Sequence, residues 1–279
     1  MSISRRCNWS PTRSSAAATS PRRRFTTKRE DREARLDRDT GNEPGAPKST
    51  LRIHQTIARD LGIAILNGRH PPGTLFEGEI ESAGRLHVSR TAYREAVRIL
   101  AAKGLIESRP KAGTRVTPRA RWNLLDPDLL AWMFSDEPDP EFVRDLFELR
   151  GIIEPAAAEL AALRRTEAHL TDLTAALDQM RAHGLSTTAG RAADQRFHHA
   201  ILAAAHNAAL ASLAGSVGAA VSWTTTFKHR KQRLPRDPIA DHDAVLLSIR
   251  ASDAVRARET MRALLGHALA DMDLALPSR

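Results

Sequence analysis

Over residues 141–276 apolar side chains recur at the three- and four-residue spacing of an amphipathic helix, in six successive stretches with no β-rich segment between them. That pattern confines this half of the chain to helices packed on helices, because an apolar stripe without a sheet to cover it must be buried against other stripes. Helices are predicted over about 141–164, 167–183, 189–205, 208–229, 239–250 and 252–276. Together they form an all-α antiparallel bundle.

The preceding segment is different in kind, and charge separates the two. Residues 1–50 carry 12 Lys and Arg against 6 Asp and Glu, residues 51–121 carry 13 against 6, and the remainder carries 17 against 21. A basic block joined to an acidic one suits a nucleic-acid-binding module attached to a part that does not touch nucleic acid. No apolar run approaches the roughly 18 residues of a spanning helix, so no membrane partner is expected. A single cysteine, Cys7, excludes both an internal disulfide and a thiolate zinc site, as in a protein of the reducing cytoplasm. Residues 1–49 are rich in Arg, Ser, Thr, Pro and Ala without apolar periodicity. They read as a disordered basic tail, either a solvated arm or an over-long start, and lack the apolar core of a secretory signal.

Within the basic block, Leu51, Ile57, Ala58, Leu61, Ile65 and Leu66 predict a first helix that Asn67-Gly68 ends, and Pro71-Pro72-Gly73 makes a rigid turn. A short helix follows from about Glu79. Ser89 then caps a third helix that buries Tyr93, Ala96, Val97 and Leu100 and stops at Gly104. Alternation at Leu105-Ile106-Glu107, a Lys111-Ala112-Gly113 turn and Thr114-Arg115-Val116 predict a β-hairpin. Three helices and a hairpin over residues 50–119 describe a winged helix-turn-helix, whose last helix enters the major groove of double-stranded DNA. Arg90 and Arg94, one turn apart, share its exposed face and suit guanine or phosphate. Solvated surface charge is the competing account of that pair, and the surrounding helix-turn-helix pattern weighs against it.

The string Val88-Ser89-Arg90-Thr91-Ala92-Tyr93-Arg94-Glu95-Ala96-Val97, followed by Gly104-Leu105-Ile106-Glu107 and Gly113-Thr114-Arg115-Val116, resembles the DNA-binding domain of GntR-family transcription regulators. The resemblance implies operator contacts from Ser89, Arg90, Thr91, Arg94, Lys111 and Gly113. One departure stands out: Leu75-Phe76-Glu77-Gly78-Glu79 and Ile80 replace the family's Leu-Pro-Ser-Glu opening and its following arginine, which removes one DNA-contacting side chain.

Residues 120–140 are too apolar for a free linker and are interrupted by Pro127 and Pro138, so they are expected to pack between the domains. In the bundle of residues 141–276, Asp194 and His198 project from one helix face at the spacing that lets a carboxylate and an imidazole share a metal. His242 and His267 lie on later helices. An ordinary solvated Asp–His pair has the same spacing. Asp194-Gln195-Arg196-Phe197-His198, the earlier Leu149-Arg150 and Glu154-Pro155-Ala156-Ala157, and the stretch from His242 to Ile249 are similar to the FCD effector domain of the FadR subfamily.

That likeness implies a divalent metal, zinc or nickel, held by Asp194, His198 and His242. The family's usual fourth histidine is replaced by Leu264, with His267 one turn away as a substitute. The same three residues could instead bind an organic acid directly. Arg150 suits bidentate capture of a ligand carboxylate, or else pairs with Glu154 at an exposed i,i+4 position. Trp122 to Asp128, Trp132 and Leu264-Leu265 resemble the family's galactonate-responsive branch, which implies a sugar acid such as an aldonate, and Trp223, Thr224 and Thr225 are candidates to line its pocket, with packing of the bundle as their plainer account. The reading is a homodimeric repressor released by a small carboxylate; a metal-dependent enzyme built on the Asp/His cluster and a nonspecific DNA binder are the competing readings.

Overall fold

The structure is a computed structural model that describes residues 48–231 and 236–276. The basic tail expected over residues 1–49 lies outside the described residues, apart from its last two, which already belong to the first helix. Helices α1 (Lys48–Leu66), α2 (Glu79–Arg85) and α3 (Arg90–Ala102) are joined to a three-stranded antiparallel sheet of β1 (Leu75–Phe76), β2 (Ile106–Arg109) and β3 (Gly113–Val116). The predicted hairpin is β2 and β3, in register Ile106 to Val116 and Arg109 to Gly113. The first strand was not anticipated: Leu75 and Phe76 pair with Arg115 and Thr114, so the chain leaving the Pro71-Pro72-Gly73 turn closes the wing's second edge. Ala58, Ala92, Tyr93, Ala96, Leu100, Leu105 and Val116 form the core beneath, while Val97 is half-buried at its margin.

Helix α3 starts where Ser89 accepts a hydrogen bond from the Ala92 amide at 3.1 Å, satisfying a donor that the first turn leaves free. Its end is built on Gly104, whose φ of 77° lies in the left-handed region and whose α-carbon faces the Arg121 carbonyl. A Cβ there would stand 2.1 Å from that oxygen.

The segment expected to pack between the domains contains helix α4 (Pro127–Met133). Pro127 begins this helix instead of interrupting it, because a first-turn position needs no amide hydrogen. Asp126 caps it by accepting from the Asp128 and Leu129 amides, and the same carboxylate accepts from Lys103 Nζ at 2.7 Å. Lys103, buried at the end of α3, also meets Asp128 at 2.7 Å and lies over the Trp132 ring. The recognition helix is thereby fastened to α4.

The C-terminal part is helical throughout its described residues: α5 (Pro140–Arg164), α6 (Glu167–His183), α7 (Thr188–Ala204), α8 (Ala208–Ser212), α9 (Ala214–Lys231), α10 (Ile239–Arg250) and α11 (Ala254–Ala275). The stretch expected as one helix over 208–229 is two, with α8 ending at Ser212 and α9 starting at Ala214. Helix α5 packs along α11, α6 along α7, and α7 along α9, around a core that includes Leu173, Leu177, Met180, Phe197, Ile201 and Met261. A second core joins α4 to this bundle: Leu130, Met133 and Phe134 pack with Phe142, Phe147, Phe227 and Met272. Among the described residues no helix is long and apolar enough to cross a membrane.

Candidate functional site

The sequence-predicted DNA residues lie on the outside of the winged unit. Ser89, Arg90, Thr91 and Arg94 are exposed at the first turns of α3, and Lys111 and Gly113 are exposed at the tip of the wing, both with left-handed backbone. Arg90 has no hydrogen-bond or ion-pair partner among the described residues. Arg94 donates to Glu79 Oε2 of α2 at 3.1 Å, which holds its guanidinium on the exposed face. Being well exposed, that ion pair is held weakly and is easily exchanged for another acceptor.

In the bundle, the structure brings Asp194 and His198 of α7 together with His242 of α10. One donor atom from each lies within 4.8 Å of the others, and all three side chains are buried. His242 Nε2 is 3.1 Å and His198 Nε2 is 3.5 Å from Asp194 Oδ1. The far nitrogens are committed elsewhere. His242 Nδ1 donates to the Pro238 carbonyl at 2.7 Å, and His198 Nδ1 donates to Glu154 Oε2. Both rings therefore turn Nε2 toward the same carboxylate, and Phe197 braces the His242 ring edge-on.

A carboxylate and two oriented imidazoles with satisfied outer nitrogens are a suitable donor set for a zinc- or nickel-class ion with coordination positions left open. His267 is not brought to this group. Its side chain is half exposed and its Nδ1 contacts Asp241 Oδ2 at 3.2 Å, while Leu264 occupies the pocket wall. The rise along α11 between positions 264 and 267 carries the imidazole past the site.

Charge follows the same geometry. Burial acts to raise the Asp194 pKa, but the hydrogen bonds and positive charge of His198 and His242 outweigh it and hold the carboxyl below the usual range. Glu154 is likewise pushed up by burial and pulled down further by Arg150 and His198, to about 2. His198, disfavoured as a cation by burial, is raised to about 9 by the charges of Glu154 and Asp194.

Arg150 proves to be a buried residue, not one end of an exposed pair. Its Nε donates to Glu154 Oε1 at 2.6 Å with both side chains at most 4% exposed. Its two Nη groups make no hydrogen bond or ion pair with a described residue, its guanidinium lies over the Phe147 ring, and Arg150 lines the cavity that Asp194, His198 and His242 also border. About 440 Å³ of atom-free space, part of it open to solvent, lies between these walls.

Thr224 and Thr225 line it as anticipated, and Thr225 Oγ1 donates to Asp194 Oδ2 at 3.4 Å. Trp223 does not: it packs against the core around Phe227. Glu154, read in the sequence as an exposed partner of Arg150 and within the FCD-like Glu154-Pro155-Ala156-Ala157 stretch, links Arg150 to His198. One participant went unnoticed in the sequence. Lys228, buried in the cavity wall, shares a helix face with Val221, Thr224 and Thr225.

A winged helix-turn-helix with an exposed recognition face, coupled to a helical bundle with a polar internal cavity, defines a ligand-sensing transcription regulator. Residues 53–116 match the family described as bacterial regulatory proteins, gntR family, and residues 145–267 match the FCD domain. The chain is 32% identical over 212 residues to the galactonate operon transcriptional repressor of Escherichia coli K12, covering 75% of this chain and 92% of that one. It is 29% identical to the Uxu operon transcriptional regulator of the same organism, over 76% of this chain and 84% of that one. Among solved structures, the Listeria monocytogenes regulator Lar, at 16% identity, covers 84% of this chain and 99% of its own with a TM-score of 0.55, a likeness of fold. The chain belongs to the GntR family of bacterial transcription regulators, in its FadR-type branch with an FCD effector domain. Its relatives are regulators, which sets aside the metal-dependent enzyme.

Proposed function

We propose that the chain is a homodimeric repressor whose operator complex is released by a small sugar acid, of the aldonate type, held between Arg150 and a divalent ion on Asp194, His198 and His242. The observation that carries this reading is the buried Arg150, whose Nη groups make no hydrogen bond or ion pair with a described residue, lining the same cavity as the three converging donor residues. A planar guanidinium fork takes a carboxylate through two hydrogen bonds, and an ion in the trio would polarise the acid's neighbouring oxygens. The likeness to the galactonate operon repressor supports the same ligand class.

Two recognition helices related by a two-fold axis enter successive major grooves about 34 Å apart. A ligand that prefers another spacing of those helices by roughly 1–3 kcal/mol suffices for a switch.

Operator binding at fixed salt, titrated with a panel of sugar acids and short hydroxy acids with and without zinc, tests this directly. Arg150→Lys is the informative variant, because it keeps a cation beside Glu154 while removing the fork. It is expected to bind operator normally and to need at least about tenfold more acid for release, the equivalent of ~1.4 kcal/mol. Release of the wild-type complex by none of the acids, in either metal state, sinks the reading.

On the DNA side, Arg90→Ala is expected to weaken operator binding by about 1–3 kcal/mol and to relax preference at one base pair. Lys111→Ala should weaken all sequences alike and reduce the salt dependence by about one phosphate contact. Fluorescence anisotropy on operator and scrambled duplexes separates the two. An Arg90→Ala protein with unchanged affinity for both duplexes would remove Arg90 from the interface.

A further inference from the structure

We propose that Lys228 is a second anchor of the effector site, binding a negatively charged group at the end of the acid remote from the carboxylate at Arg150, so that dianionic sugar acids bind more tightly than aldonates of the same length. This rests on the effector reading above and goes beyond it, since Arg150 and the Asp/His trio account for only one end of a ligand.

Lys228 is 6% exposed, lines the cavity, and makes no hydrogen bond or ion pair with any described residue. Burial disfavours the charged ammonium, and the charges of Asp194 and Asp271 offset that cost only in part, without a hydrogen bond or ion pair to either. The nearest carboxylates are already engaged. Asp194 faces His198, His242 and Thr225, and Asp271 lies 3.6 Å from Arg236 Nη2, whose Nη1 binds Asp241.

Position along the helix sets the lysine one turn beyond the residue that meets the Asp/His trio. Thr225, three residues earlier on α9, contacts Asp194, and three residues of helix advance about 4.5 Å. Three cationic side chains line the cavity, Arg150 of α5, Lys228 of α9 and Arg236, the last already paired with Asp241, and hydroxyl-bearing Thr224 and Thr225 line it one turn before Lys228. Such a site matches a polyhydroxylated chain bearing an acid at each end. An aldonate leaves a neutral hydroxyl at Lys228; an aldarate brings a second carboxylate.

The test uses the full-length, zinc-loaded chain and two open-chain six-carbon acids of the same hydroxyl configuration, the hexonate and the hexarate, in calorimetric titrations of wild type and Lys228→Met. The hexarate is expected to bind wild type about tenfold or more tightly than the hexonate, the scale of a hydrogen bond between charged groups. In Lys228→Met that preference should vanish while hexonate affinity stays within about threefold. Lys228→Arg should retain it, which keeps the proposal testable if the methionine variant fails to fold.

Equal binding of the two acids by wild type, or an equal loss for both in Lys228→Met, overturns the role of Lys228 and leaves the Arg150 reading standing. Failure of both acids to bind protein that still recognises its operator overturns both.

Discussion

Glu154→Gln is expected to lower the stability of the metal-free protein by about 3–5 kcal/mol in urea unfolding at neutral pH, the cost of leaving buried charges without their counterion. Glu154 sits between Arg150 and His198 with all three side chains buried, so its neutralisation strands a guanidinium that has no other carboxylate in an ion pair and keeps only the Phe147 ring. The pH profile carries the same signature. With a folded pKa near 2 against an ordinary 4.5, Glu154 contributes stability that is present above about pH 4.5 and lost as the pH falls toward 2. His198 works in the other direction: raised from 6.5 to about 9, it contributes stability that is complete below about pH 6.5 and lost as the pH rises through 9.

Wild-type metal-free protein should therefore be most stable between those limits. The variant should show a shallower fall on both sides, because Glu154 is also the largest influence raising His198. The same substitution is expected to weaken zinc binding by about 10- to 100-fold, since it removes the group that orients His198. Stability within ~1 kcal/mol of wild type would mean that the three residues do not act as a charged network.

Gly104→Ala is the second large effect. A non-glycine residue held in the left-handed region costs about 1–3 kcal/mol, and crowding of a tight contact adds about 1–3 more. Here the new methyl meets a backbone oxygen at 2.1 Å, which cannot rotate away as a side chain would. Because Gly104 joins the recognition helix to the wing, thermal unfolding should fall and operator affinity should drop with it, while acid binding to the bundle persists. Thermal unfolding within a degree or two of wild type would show that Arg121 gives way freely.

Much of this organisation was legible in the sequence, and the exceptions have physical causes. The third strand of the wing is two residues long, Leu75-Phe76, too short to display any alternation. Pro127 looked like a break because a proline is equally at home ending one element or opening the next; the capping carboxylate of Asp126 decides it. The turn at Leu213 between α8 and α9 interrupts apolar spacing that reads as continuous. For the site, Asp194, His198 and His242 were recoverable because their types and spacing carry chemistry. Arg150 was found but its surroundings were not, since burial of an i,i+4 ion pair depends on what covers it, and that cover comes from α7. Lys228 carried no local signal at all: a lysine one turn beyond two threonines looks like a helix end reaching for water until the neighbouring helices close around it.

The last turn of α9 also does something that neither domain could do alone. Lys228 faces the cavity, its neighbour Phe227 meets Phe134 edge-on, and Arg230 donates to the carbonyls of Phe134 at 2.9 Å and Ser135 at 3.3 Å. Those carbonyls close α4, and α4 is the helix to which Lys103 ties the recognition helix. Within the span of four residues the chain is thus both the wall a ligand would press upon and the hand that holds the DNA-reading unit's mount. A small rotation of this one turn would re-aim α3 with no message passing through flexible chain, much as a key turned in a lock moves a bolt it never touches.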